Sequence, residues 1–67
     1  MQKFEIIREH GGIAFKNNIE GRYVFFQPGD DAGFFERELQ DFTEGFGEET
    51  ALAMLWVSYE AVADEEF

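Results

Sequence analysis

The sequence predicts an α+β domain: a three-stranded antiparallel sheet over residues ~2–27 packed against two helices, ~31–45 and ~48–65. Three observations predict it. Residues with β propensity alternate in facing along the first 27 positions. Apolar residues then recur at helical spacing. Between the two patterns stands Pro28-Gly29, which holds the only proline. A chain of 67 residues is too short for either half to fold alone, so residues 1–67 are read as a single acidic domain.

In KFEIIRE (3–9), Phe4, Ile6 and Arg8 face one way while Glu5, Ile7 and Glu9 face the other. His10-Gly11-Gly12 is a turn signal. IAFK (13–16) makes a second short strand, and NNIEG (17–21) a loop of residues that tolerate positive φ. RYVFF (22–26) has the strongest β composition in the chain. Short connections imply a meander with one apolar face.

For the first helix, Asp30 or Asp31 is the expected cap, since a carboxylate there accepts from free N–H groups and complements the helix dipole. Phe35, Leu39, Phe42 and Phe46 then fall on one stripe. Glu36 and Glu44 point away from it, Glu38 and Asp41 lie on its flank, and Gly45 and Gly47 end the segment. The second helix carries Leu52, Leu55, Trp56, Tyr59, Val62 and Ala63 on its core side. Met54 and Val57 fall on the far side, so this helix is either buried twice or offers a small apolar patch. The expected core holds Phe4, Ile6, Phe15, Val24, Phe35, Leu39, Phe42, Leu52, Leu55, Trp56 and Tyr59.

Without cysteine, neither a disulfide nor a thiolate metal site can staple the fold, so packing must hold it. Nine phenylalanines supply that packing and argue against disorder despite a net charge of −10. No apolar run approaches the roughly 20 residues of a membrane span. The opening MQKFEIIREH has no signal-peptide core, and a cytoplasmic location is the expectation.

The charge is unevenly placed. Residues 1–27 carry Lys3, Arg8, Lys16 and Arg22 against Glu5, Glu9 and Glu20, a net of +1. Residues 28–67 carry twelve acids against Arg37 alone, a net of −11. Self-repulsion of this size opposes compaction, which favours a partner that uses the charge. Direct nucleic-acid binding is excluded, because its affinity comes from lysine and arginine neutralising phosphates. The inverse fits: a protein whose own phosphate-binding surface is basic. Carboxylates on two adjacent helices then stand in for the phosphates of duplex DNA. The residues that would carry this are Asp30, Asp31, Glu36, Glu38, Asp41, Glu44, Glu48, Glu49, Glu60, Asp64 and Glu65, with Glu36, Asp41 and Glu44 the closest-set group.

Catalytic readings find little support. His10, the lone histidine, lies in a turn; Ser58 lies within a helix and outside any G-x-S-x-G elbow. Asp30-Asp31 lacks the alternating acids of a calcium loop, and no glycine cluster matches a phosphate cradle. An enzyme is not expected, nor a cofactor or bound metal.

Opening MQKFEIIREHGGIAFKNN and closing LWVSYEAVADEEF, this short acidic chain resembles the small anti-CRISPR proteins of phages and mobile elements. Among these it is most similar to an inhibitor of the type I-C Cascade complex of Pseudomonas. The resemblance spans the chain in length and character and brings no catalytic motif. A monomer is expected rather than a dimer, acting in the cytoplasm of a bacterial host. Its partner would be the basic DNA-binding surface of Cascade, which it would occupy to block target duplex. The alternative is an acidic regulatory or interaction module for another basic DNA-binding protein, and Met54 and Val57 favour it by offering a mixed interface or a homodimer contact.

Overall fold

A computed structural model describes residues 2–66. Strands β1 (Phe4–Glu9), β2 (Gly12–Asn17) and β3 (Arg22–Phe26) are followed by helices α1 (Asp30–Phe46) and α2 (Glu48–Tyr59). A 3-10 turn, Glu60–Val62, then leads into a two-residue strand, β4 (Asp64–Glu65). The sheet is antiparallel throughout, in the order β1-β2-β3-β4. The α+β class is as expected, but the sheet has four strands rather than three.

The register begins at the first hairpin. His10 and Gly11 both have positive φ, 52° and 82°, the pattern of a type I′ turn whose twist matches the flanking strands. Closing on Glu9 and Gly12, it aligns Ile6 with Phe15 and Arg8 with Ile13. His10 therefore occupies a left-handed conformation that asparagine adopts at lower cost. His10→Asn should raise stability by about 0.5 kcal/mol, read as a higher thermal midpoint. The second connection is held by Asn17, whose buried Oδ1 accepts from the N–H groups of Ile19 and Glu20 at 3.0 Å each.

Both helices pack on the face bearing Ile13, Phe15, Val24 and Phe26. Phe35 stacks on Phe26, with ring centroids 4.4 Å apart, and tilts against Phe15 at 5.3 Å. Trp56 meets Phe15 edge-on at 5.5 Å. All eleven expected core residues are buried or half-buried against this cluster. Ile13, Phe26, Ala32 and Ala51 also belong to the buried set, and expectation had left them out. Two stripe members are misplaced by helical spacing: Phe46 is 58% exposed and Val62 is 68% exposed.

The helix ends depart from expectation in instructive ways. Neither Asp30 nor Asp31 caps α1; Gly29 does, at φ 103°, with no side-chain cap bond. The two aspartates sit in the first turn, where they still complement the dipole. At the other end Gly45 is helical and Gly47, at φ 86°, ends the helix. α2 stops at Tyr59 instead of continuing to residue 65. A run of Asp64, Glu65 and Glu66 at a helix C-terminus would oppose the dipole. Extended, the same run gains partners. Arg22 Nη2 donates to the carbonyls of Glu60 (2.8 Å) and Ala63 (3.3 Å), and the Glu66 N–H donates to Gly21 (2.9 Å). Glu66 also reaches Lys16 at 2.9 Å. No helix among the described residues is long and apolar enough to cross a membrane.

Candidate acidic interface

The fold divides the eleven predicted acids into groups with different environments. Glu36 is engaged inside the molecule. Arg8 shares the inner sheet face with Phe4 and Ile6, and its Nε and Nη2 donate to the two carboxylate oxygens of Glu36 at 2.6 and 2.7 Å. This fork holds the Glu36 carboxyl below the usual range, chiefly through the hydrogen bond. The pair's contribution is present above the ordinary carboxylate range and is lost as pH falls through the lowered value. Both side chains are about half-exposed, so it is worth less than about 1 kcal/mol. An interface role for Glu36 would have to break this pair first. The relief of charge in the acidic half thus comes across the fold, from Arg8 and Lys16, rather than along the helix.

Glu38 is engaged as well: it accepts the hydroxyl of the half-buried Tyr59. Burial and this neighbouring carboxylate push the Tyr59 phenol up to about 12. Because the folded value lies above the unfolded one, the stabilising contribution is full below about pH 10 and disappears as pH rises through about 12. Ultraviolet titration should show one tyrosinate forming near pH 12 in the parent and missing in Tyr59→Phe. Glu44 accepts from Gln40 at 3.2 Å.

The remaining eight, Asp30, Asp31, Asp41, Glu48, Glu49, Glu60, Asp64 and Glu65, are exposed. Their carboxylates make no ion pair among the described residues. At 100° per residue, Asp31, Glu38 and Asp41 follow one flank of α1 with Phe34 between them, Glu44 lies on the outer face next to Asp41, and Glu36 lies on the opposite flank. The expected trio Glu36, Asp41 and Glu44 is therefore not a single cluster. Glu48 and Glu49, in the first turn of α2, face Gln2, Lys3 and Phe4 across a shallow cleft. Glu60, Asp64 and Glu65 belong to the 3-10 turn and β4 and not to a helix.

Sequence reasoning placed Met54 and Val57 on the outward side of α2, and both are exposed there. It missed a second apolar group. Phe34 and Val62 are 53% and 68% exposed and line one open groove together with Tyr59, Asp31 and the β3 edge at Phe25, whose own ring turns to the outer face over Gly12. Phe34 breaks the helical stripe, and Phe25 faces opposite to its neighbours on β3; those two offsets were the available signal. Among the described residues, no three histidine, aspartate or glutamate side chains converge as a metal site. No protein-family model, curated protein or solved structure matches the chain.

Proposed function

We propose that this protein is an inhibitor whose exposed carboxylates take the place of duplex phosphates on the basic DNA-binding surface of a larger complex. The resemblance to the anti-CRISPR proteins implies that this complex is a type I-C Cascade. The observation that carries the reading is charge density. Nine of the twelve acids in the helical half are exposed, with Arg37 the one base in that half. The molecule's longest extent is 33 Å, a length over which duplex DNA carries roughly 19 charges. Nine exposed carboxylates over this length are about half the charge of such a duplex, carried on α1, the first turn of α2, the 3-10 turn and β4.

The test is competition. Increasing amounts of the protein should displace target duplex from purified Cascade in an electrophoretic shift assay. Displacement should weaken steeply with salt, because exposed charges beyond about 10 Å are screened at 0.1 M ionic strength. Inhibition of interference with DNA still bound would assign the protein to a later step and refute the mimicry. The second reading, a module for another basic DNA-binding protein, is favoured by exposed Met54 and Val57, which phosphate mimicry does not require. Capture of one such protein from cells lacking a CRISPR locus, with no binding to Cascade, would select it.

A further inference from the structure

An open groove lined largely by apolar residues lies beside the acids. Among the described residues β4 pairs only with Arg22 and Tyr23, so the ladder stops short and none of them pairs with the outer edge of β3 from Val24 to Phe26. Tyr23 pairs with Asp64 and the Glu66 N–H reaches Gly21, so the main chain of odd-numbered β3 residues faces this side. Phe25 is thus the next residue whose N–H and C=O point toward the open edge. The exposed groove runs along it, between Phe34 of α1 and Val62 of the 3-10 turn. An open strand edge next to an apolar groove is the arrangement by which an extended segment adds to a sheet.

The rim decides what kind of segment. Asp31 lines the groove itself, and Asp30 precedes it in the same helical turn. Glu38 bonds to Tyr59, which lines the groove too. Glu60 and Asp64 bracket Val62 on the other side. A second copy of the chain would bring −10 against −10 to this rim. We infer that the groove is the anchor site for the basic partner: it takes one large apolar side chain from an extended segment whose flanking residues are lysine or arginine. This rests on the proposed function and adds to it a contact that DNA cannot make. Carboxylates supply attraction at a distance, and the groove supplies the short-range contact that slows release.

The probe is a short blocked peptide of lysine and arginine with one central phenylalanine, paired with a counterpart carrying alanine there. Amide chemical shifts of the protein would be followed as each is added. The phenylalanine peptide should bind at least about tenfold more tightly and move the amides of Val24, Phe25, Phe34 and Val62. Phe34→Ser and Val62→Ser replace exposed side chains, and circular dichroism would confirm that they fold. Both should abolish the difference between peptides and keep the salt-sensitive binding common to the two. Equal affinities, or shifts gathered around Met54 and Val57, would overturn the inference. On Cascade the two ideas separate. Groove variants that displace DNA as well as the parent does would refute the anchor and leave the mimicry standing. A parent that displaces no DNA refutes the mimicry, and the peptide comparison then decides the groove alone.

Discussion

Trp56→Ala is expected to leave little folded protein at room temperature. Trp56 is 4% exposed, lies edge-on to Phe15, and tilts against Phe4 with centroids 6.3 Å apart. It therefore ties α2 to two strands at once. Truncating a buried tryptophan costs about 3–5 kcal/mol, and a domain of this size rarely has more than that in reserve. A second variant keeps the expectation discriminating. The indole Nε1 is buried and has no hydrogen-bond partner among the described residues. An unpartnered buried donor carries a penalty of about 1–3 kcal/mol. Trp56→Phe removes that donor along with part of the ring, so its cost should stay below about 1.5 kcal/mol. Urea melts followed by far-ultraviolet dichroism would order parent, phenylalanine and alanine variants. An alanine variant that melts with the parent would mean that the buried face of α2 is wrongly assigned.

Reversing the exposed carboxylates should abolish competition with DNA while leaving the fold intact. Asp30, Asp31 and Asp41 changed to lysine form one set, and Glu48 with Glu49 another. None makes an ion pair among the described residues, so what the fold loses is the favourable placement of the first-turn acids on the helix dipoles, about 0.3–1 kcal/mol each. Each reversal sets like charge against the partner's lysines and arginines, which costs several kcal/mol in total and should weaken competition at least about hundredfold. The first set also lowers attraction along the groove flank, and it should have the larger effect. Glu36 is left out, because a lysine there would face Arg8. The same gel-shift assay reads the result. Folded variants that compete as well as the parent would eliminate the phosphate-mimic mechanism.

The contrast between the two halves of the chain explains what could be read in advance. Strands β1 to β3 were visible because Phe4 and Ile6 keep a period of two, which tolerates no slip, and because RYVFF (22–26) is dense in β-branched and aromatic residues. Phe35, Leu39 and Leu55 marked the buried faces of the helices in the same way. The chain after Tyr59 was misread because Val62 and Ala63 continue the apolar spacing of α2 while the energetics do not. What ends the helix is non-local: Arg22, 38 residues earlier, takes the Glu60 carbonyl. Glu36 was picked as exposed for a related reason. Its partner Arg8 lies 28 residues away on another element, and no local pattern announces such a pair. The eight exposed acids were legible because charge at low apolar density has few places to go but the surface. Which of them share a flank required the fold.

The uneven partition of charge has a consequence for how the molecule approaches a partner. A protein with a net −7 on its two helices (eight acids against Arg37) and −3 on the remainder is an electric dipole as well as a polyanion. In the field of a cationic surface such a body feels a torque along with the pull, and the torque acts before contact. It swings the helices forward and the sheet behind, so a large share of encounters begin in nearly the right orientation. A chain with the same ten excess negative charges spread evenly would be drawn in as strongly but would arrive facing at random. At raised ionic strength the turning force is screened together with the attraction, so salt should slow productive capture more than it slows collision.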